Sequence, residues 1–345
     1  MILVPLYLNQ VGFSWWLVTL FVVFYTISNM SITCGYHRYF SHKSYDVHPV
    51  LEFLYVFFGA GAFQGSVLEW AADHRIHHHK VDTEQDPYSI KKGFWYAHIG
   101  WLFLKRNTNT DFPKDLAASK LLQFQHKYYA PISLAVGFGL PWLVGEFLGL
   151  GLGGLIFGGI LRAVATHHST FLVNSFAHMF GTQPYSTKHT ARDSFLVAVL
   201  TFGEGYHNYH HEFQSDYRCA IKWYQWDPSK WTIRALWAMG LVTKLRKVSH
   251  YDVTMAKINL QSKNLALEGV PLERFQAMQL KMQDAQKRAK QLVSEYQRKK
   301  SELKTQSYEK YLQLKADMKI ARLEFEYAYK QWKIQKKMLM KSVRV

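Results

Sequence analysis

The chain has 345 residues, which is enough for one large domain or two of ordinary size. Its formal charge of +17 is uneven: residues 1–250 carry 21 basic and 15 acidic side chains, whereas residues 251–345 carry 21 and 10. With only two cysteines, the sequence excludes a disulfide framework, a thiolate zinc site and an iron–sulfur cluster. A basic tail could meet anionic lipid, nucleic acid or an acidic protein, and charge alone does not choose.

The N-terminal segment is strongly apolar, because residues 1–36 contain no Asp, Glu, Lys or Arg. The stretch at 11–35 is long enough to cross a bilayer, which takes roughly 20 residues. A buried helix of a soluble protein is the alternative. Residues 1–8 are too short to span, and we expect them to be the end of a truncated first helix. No basic segment precedes the apolar run, so a cleavable secretory signal is not expected.

The middle of the chain alternates polar and apolar blocks. An apolar run at 53–68 is short for a span and predicts an interfacial helix. Residues 130–173 form a second hydrophobic block, in which the glycine-rich EFLGLGLGGL predicts a tight turn between spans at about 131–149 and 152–173. Because this turn carries no Lys or Arg, the positive-inside rule puts 37–130 and 175–345 on the cytoplasmic side.

The C-terminal part differs in composition from the rest. After a linker at 251–270, residues 271–345 are rich in Lys, Gln, Glu, Met and Ala. Apolar residues recur from Phe275 to Leu303 in alternating steps of three and four, which is a heptad pattern. The pattern predicts a basic coiled coil or amphipathic helix and not a catalytic domain.

Histidine is concentrated in a few places, although 17 His occur in all. Two of the groups have spacings of three and four residues, so that their side chains share one face of a helix. Burying so many imidazoles without a metal would leave desolvated polar groups. The groups are His37 and His42 in GYHRYFSH, His74, His77, His78 and His79 in EWAADHRIHHHK, Asn174 and His178 in NSFAH, and His207, His210 and His211 in GEGYHNYHH.

The histidine groups predict one metal site with two ions, because eight or more imidazoles exceed what one ion accepts. Imidazole suits iron, copper, zinc and nickel alike. The absence of an HExxH pair argues against a zinc protease, and apolar walls favour oxygen chemistry. Isolated histidines are more often structural, and we expect no ligand among His48, His98, His126, His167, His168, His189 and His250.

At these motifs the sequence resembles the membrane fatty-acid desaturases. GYHRYFSH, EWAADHRIHH, NSFAH and GEGYHNYHH are similar to the family's histidine boxes, closest to the acyl-CoA Δ9 (stearoyl-CoA-type) desaturases of a bacterial-like kind. The resemblance covers about residues 3–250. It implies an all-α, multi-pass membrane protein, with transmembrane hairpins below a cytosolic helical cap that holds a di-iron site. The coiled-coil-like tail is not part of the family pattern.

The resemblance also implies the cofactors and their ligands. Two iron ions would activate O2, with no catalytic side chain beyond the iron ligands. His79 lies outside the motif and would be spare. Carried over position by position, the ligands would be His37, His42, His74, His77, His78, His178, His207, His210 and His211, with Asn174 binding through water.

The implied reaction removes hydrogen from C9 and then C10 of a saturated acyl chain and leaves a cis double bond. An unactivated methylene has no acidic proton, so that acid–base catalysis by side chains cannot attack it. Two electrons would come from a separate carrier of the ferredoxin, rubredoxin or cytochrome b5 type, because the chain has no HPGG haem motif. Membrane lipid is an expected partner, and nucleic acid is not.

The substrate is expected in a bent apolar tunnel. Gly65 and Ala72 stand where animal enzymes carry Asn and Arg groups that help to hold CoA, which leaves acyl-CoA and other acyl carriers both open. Basic residues that meet CoA phosphates would form charge-assisted hydrogen bonds, although they could equally be interface anchors. The residues implied are Gln64, Trp70 and Thr170 at the kink, Phe171 in place of a Trp, and Lys105 and Arg106 at CoA.

Two other functions fit the motifs. A membrane di-iron hydroxylase would use the same histidine boxes and give an alcohol. A non-enzymatic membrane metal-binding or transport protein would carry ionisable residues within its spans, whereas these histidines fall at or beyond the predicted helix ends.

Overall fold

A computed structural model describes residues 2–104, 112–269, 273–306 and 308–342, and its regular structure is almost entirely helical, as expected for an all-α protein. Two compact units comprise Met1–Lys247 and Val248–Val345. A two-stranded antiparallel sheet pairs β1 (Asp46–Val47) with β2 (Val242–Thr243). Short 3₁₀ turns lie at Ile90–Lys92 and Gly100–Phe103. The helices are α1 Leu3–Val11, α2 Trp15–Ser41, α3 Pro49–Ala60, α4 Val67–Lys80, α5 Phe94–His98, α6 Lys114–Ala117, α7 Lys120–Lys127, α8 Tyr129–Phe147, α9 151–174, α10 Phe176–Met179, α11 Phe195–Leu200, α12 His207–Glu212, α13 Pro228–Ala238, α14 His250–Leu267, α15 Glu273–Gln306 and α16 Tyr308–Ser342.

Helix α2 differs from the predicted apolar segment at both ends. Residues 12–14 interrupt the helix, and Gly12 has a φ of 95°. Ser14 then caps the start of α2 by accepting a hydrogen bond from the backbone N–H of Trp16. The helix continues past residue 35 to Ser41, and residues 31–41 are π-helical. Because a π-helix turns with a wider step, the backbone N–H of His42 bonds to the carbonyl of His37 at 3.2 Å. The spacing of five, expected from a frayed end, thus belongs to a regular wide turn.

Helix α3 is shorter at its C-terminus than the predicted 53–68 segment. It begins at Pro49 and ends at Ala60, and a loop follows in which Phe63 and Gly65 have φ of 58° and 90°. Such backbone cannot continue a helix. Helix α4 then starts at a capping box, since Ser66 accepts from the backbone of Glu69 while the Glu69 carboxylate accepts from that of Ser66.

Helices α8 and α9 form a hairpin whose turn is only residues 148–150. The glycine-rich segment, predicted to form a turn between spans at about 131–149 and 152–173, holds this turn, and its later glycines lie inside α9. A Cβ on Gly154 would lie 2.3 Å from the carbonyl oxygen of Pro141 and 2.9 Å from the Cα of Gly145. These glycines therefore permit close packing of the two helices. By length and composition, α2 and α8 are apolar enough to cross a membrane.

Arg162 connects α8, α9 and the loop after α3. Its buried guanidinium donates to the carbonyls of Gly61 and Gly137 and to that of Gly158 in its own helix. Carbonyl acceptors satisfy a buried cation without a carboxylate. This contact fixes the loop after α3 against α8 and α9.

In the second unit, the segment expected to be a linker at 251–270 is mostly the helix α14. The predicted coiled coil is a helical hairpin and not a single helix. Its helices α15 and α16 run antiparallel, because Phe275 near the start of α15 meets Trp332 near the end of α16, while Arg288 reaches Glu324. Met282, a predicted seam residue, is fully buried.

Candidate metal centre

Five histidines from three helices form one cluster of imidazoles. Helix α2 and its cap supply two, α4 supplies two and α12 supplies one. One nitrogen from each ring lies within 4.8 Å of the others, which is close enough for one ion to reach every ring. This five-His group consists of His37, His42, His74, His78 and His210.

A second cluster contains four histidines, with ligand atoms again within 4.8 Å of one another. Helix α4 supplies one, α10 supplies one and α12 supplies two. All but His211 are buried. This four-His group consists of His77, His178, His207 and His211.

Helix α4 contributes to both groups. His74 and His78 are four apart and point to the five-His group, whereas His77 belongs to the four-His group. One residue along an α-helix turns the side chain by about 100°. The sequence HRIHH therefore divides its rings between two neighbouring sites, whose rings touch: those of His78 and His211 stack at 4.2 Å between centroids.

The nitrogens face one another inside each group. The Nε2 atoms of His42 and His74 are 2.8 Å apart, and those of His207 and His211 are 3.0 Å apart. In the part of the chain that the structure describes, buried ring nitrogens of His77, His178 and His207 have no hydrogen-bond partner. Leaving such atoms unpaired is costly. An all-nitrogen donor set that converges on two points fits two transition-metal ions.

Burial lowers the pKa of most of these histidines, and neighbouring imidazoles lower it further. The rings with a lowered pKa are therefore neutral at physiological pH, and a neutral ring keeps the lone pair that a metal needs. The pKa falls well below its usual value for His42, His74, His78, His178, His207, His210 and His211.

A carboxylate orients the five-His group from outside. The Nδ1 of His37 lies 3.0 Å from Glu204, and Arg38 bonds to both Glu204 and Asp227. Burial alone would raise the pKa of Glu204, but the charge of Arg38, with help from His37, lowers it to about 2. An ionised Glu204 accepts the Nδ1 proton and leaves Nε2 free to bind a metal.

A second set of acids orients the four-His group. The Nδ1 of His77 lies 2.9 Å from Asp86. His178 reaches a carboxylate indirectly, because its Nδ1 lies 2.8 Å from the hydroxyl of Thr190, which donates to Asp82 at 2.7 Å. Asp82 in turn donates its backbone N–H to Asp86. His77 and His178 of the four-His group are thus held by one connected network of hydrogen bonds.

The expected kink residues lie together beside the five-His group. Gln64 donates to the hydroxyl of Thr170 at 2.8 Å, and Trp70 donates its indole N–H to Gln64 at 3.1 Å. The Trp70 ring also stacks on His74 at 4.8 Å. This chain of hydrogen bonds connects α4, the loop after α3 and α9 next to the imidazoles.

Of the other expected substrate residues, only Phe171 lies within the part of the chain that the structure describes. Phe171 is buried, with its ring against those of Trp101 and His98. Lys105 and Arg106 lie outside the described residues.

Asn174 is half-buried at the last position of α9, one turn before His178. The structure thus puts it beside a ligand-bearing helix, which is compatible with the implied role through water.

The remaining histidines are mostly structural in their contacts. His79 is exposed, in contrast to the buried His77 beside it. His167 lies 2.9 Å from the carbonyl of Ala62, and His98 joins His168 at 3.0 Å. None of these rings belongs to either group.

Sequence reasoning missed the outer residues. Glu204 lies three residues before His207 in GEGYH, and Asp86 follows the second motif, so both were visible as acids next to the motifs. Nothing in sequence marks Thr190, because its role depends on the fold. His189 was expected not to be a ligand and belongs to neither group, although its ring lies 5.0 Å from that of His211.

Known proteins resemble this chain in sequence. A profile of the fatty acid desaturase family matches residues 13–245. Acyl-CoA desaturase 1 of Saccharomyces cerevisiae is 42% identical over 266 residues, covering 76% of this chain and 51% of the relative. Stearoyl-CoA desaturase of Homo sapiens is 38% identical, covering 66% of each. The sn-1 stearoyl-lipid 9-desaturase of Anabaena variabilis is 38% identical, covering 68% of this chain and 86% of the relative.

The fold and the site together define a class: a mostly helical protein with two groups of histidines that could each hold a metal ion. The chain belongs to the fatty acid desaturase family. It spans about half the length of the yeast relatives it matches.

Proposed function

We propose that this protein catalyses O2-dependent desaturation of a saturated acyl chain at the Δ9 position, with acyl-CoA as the substrate. The observation that carries the proposal is the pair of neighbouring imidazole groups, five and four, on a desaturase scaffold. Two irons held there would supply the oxidising chemistry that removes hydrogen from an unactivated methylene.

The chain's own residues orient the ligands. Glu204 and Asp86 accept the outer ring protons of His37 and His77, so that the inner nitrogens face the centre. Because these acids are buried, their hydrogen bonds act in a dry environment and hold the rings rigidly. The ten ligands proposed are the nine grouped histidines and Asn174.

A second set of residues positions the substrate. The Gln64–Thr170 hydrogen bond and the Trp70 ring form a wall against His74, and a bend in the acyl tunnel here would select the carbon that faces the centre. Exclusion of water protects a reactive oxidant from side reactions. Lys105 and Arg106 are proposed to meet the CoA phosphates through their charge.

The protein is proposed to be an integral, multi-pass membrane protein. Helices α2 and α8 have the required length and composition, and α9 pairs with α8 in a tight hairpin. The 1–250 region would be the membrane desaturase domain, and 271–345 a basic helical tail. With the histidine groups at helix ends, the active site would face the cytoplasm, where a separate ferredoxin, rubredoxin or cytochrome b5 supplies electrons.

The names of the relatives point to two acyl carriers. The yeast and human proteins are acyl-CoA enzymes by name, whereas the Anabaena protein is named for stearoyl-lipid. A lipid-linked acyl chain is therefore the second candidate substrate.

Expression in a strain that requires unsaturated fatty acids tests the proposal. We expect growth without supplement and a 9-cis-monounsaturated acid in extracted lipid. His78→Ala and His211→Ala should abolish the product, because each removes an imidazole from a group, whereas His79→Ala should keep most of it. An alcohol in place of the alkene would identify a hydroxylase, and no product despite bound iron would favour a metal-binding protein.

The carrier is tested with purified protein, an electron donor and labelled stearoyl groups. Faster conversion of stearoyl-CoA than of stearoyl-phosphatidylglycerol supports the CoA proposal. The opposite order would assign the enzyme to lipid-linked chains.

A further inference from the structure

His189 is a histidine whose position is not explained by packing. It lies in the segment between α10 and α11, and both of its ring nitrogens are buried without a hydrogen-bond partner among the described residues. Leaving a buried polar atom without a hydrogen-bond partner is costly. An imidazole has one donor and one acceptor at neutral pH, so that both of these are unused.

The surrounding backbone holds His189 in place. Gln183 donates to its carbonyl oxygen at 2.6 Å, and Thr190 donates its backbone N–H to Asp82 at 2.7 Å. Asn208, from the helix that carries three of the grouped histidines, donates to the carbonyl of Ala191 at 2.9 Å. The ring is therefore presented to the metal centre by a segment fixed on both sides.

The ring faces the four-His group from outside. Its centroid lies 5.0 Å from that of His211, which is the same as the distance between the rings of His77 and His211. Its nitrogens nevertheless do not join the set of ligand atoms that lie within 4.8 Å of one another. His189 thus stands one layer beyond the rings that can bind the ion directly.

The four-His group has one imidazole fewer than its neighbour. An iron ion held by these four imidazoles would have a coordination position left for solvent, as non-haem iron sites do. Solvent held there would need a hydrogen-bond partner, and His189 has two unpartnered ring nitrogens next to His211.

We propose that His189 positions a water molecule in the open coordination position of the ion in the four-His group. This inference rests on the proposed metal centre. It makes His189 a positioning residue that acts through the water and not an iron ligand, and it adds to the role expected of Asn174.

Two variants of similar size test the proposal. His189→Gln keeps a hydrogen-bonding group, whereas His189→Met fills the space without one. The proteins are loaded with ⁵⁷Fe²⁺, and Mössbauer spectra and iron content are measured, together with the rate at which a chelator removes each iron. His79→Gln and His79→Met are the matched controls, because His79 is exposed.

We expect two irons per chain in the unmodified protein. His189→Met should shift the spectrum of one iron only and weaken its retention by about tenfold, the lower end of the usual outer-ligand effect. His189→Gln should restore most of both, and neither His79 variant should change them.

Unchanged spectra and retention in His189→Met would overturn the inference. Equal loss of both irons in both variants, or failure of both to fold, would also overturn it, because it would assign His189 a structural role. If the unmodified protein held fewer than two irons, the proposed metal centre itself would fail. These outcomes are distinct from one another.

Discussion

At the scale of single residues, neighbouring histidines belong to different groups because the helix turns them apart, and the outer acids then hold individual rings. His77 and His78 are adjacent in sequence, yet only His77 is bonded to Asp86. The nine grouped histidines could be named from the sequence: spacings of three and four mark two of the groups, and the resemblance to the desaturase motifs supplied the complete set, including His37 and His42, which are five apart. Glu204 and Asp86 could not be assigned to a ring, since contacts such as that of Glu204 with His37 arise only in the folded chain.

Glu204 and Asp86 give a paired prediction. Glu204→Gln should weaken iron binding at the five-His group by about 10–100-fold, and Asp86→Asn should do the same at the four-His group, because each removes the anion that orients a ligand. Competition with a chelator, followed by Mössbauer spectroscopy, measures which iron is lost.

The control is Glu84→Gln, because the Glu84 side chain is highly exposed in a surface ion pair with Lys92. Loss of the same iron in both outer-acid variants would contradict the assignment of one acid to each group.

At the scale of helices, the packing of α8 on α9 and the end of α2 are features that the composition could not predict. The glycine-rich EFLGLGLGGL predicted a turn, and the turn lies within it at 148–150, but the sequence did not show that the glycines after it let α9 meet α8 closely. Turn and close-contact glycines look alike in sequence, because both need the absence of a Cβ. The extension of α2 to Ser41 was missed for a related reason: polar and histidine residues after position 36 resemble the end of a span, although they remain in the helix.

Gly154→Ala tests the close contact. The added Cβ meets the backbone of Pro141 and Gly145, which cannot move aside as a side chain can. We expect a loss of about 1–3 kcal/mol in stability, as for other overpacked sites, and a lower melting temperature in detergent.

Gly139→Ala is the matched control in α8, since its Cβ would meet only the carbonyl of Leu134, at an ordinary 3.8 Å. That change should be neutral or slightly stabilising, because Ala favours a helix over Gly by about 1 kcal/mol. Equal melting temperatures for the two variants would contradict the packing argument.

At the scale of the whole molecule, the two units differ in how well the sequence defines them. The first could be predicted in outline from four histidine motifs and apolar blocks. The second was recognised as helical from its heptads, but its hairpin was not, because a heptad pattern does not say whether a helix pairs with its own chain. The ring contact between Phe275 and Trp332 shows that α15 pairs with α16.

Removing the metal should destabilise the first unit as a whole. Ions that bind only the folded state stabilise it by mass action, by about 2.7 kcal/mol for each site at a metal concentration of 100 times Kd. Treatment with a chelator is therefore expected to lower the melting temperature, and adding Fe²⁺ back should restore it.

The comparison protein is the His78→Ala variant, whose five-His group lacks one imidazole. It should bind metal more weakly, so that its melting temperature should fall less when the chelator is added. A melting temperature that does not respond to the chelator in either protein would contradict a metal-stabilised fold.

Helix α4 carries rings of both groups within two turns, behind a capping box at Ser66 and Glu69. The first ion to bind would restrict the motion of this helix and so hold the histidines of the other group in place. Any loss of conformational entropy on ordering α4 would then fall mainly on that first binding event. We therefore expect the two positions to fill cooperatively, even though no histidine belongs to both groups.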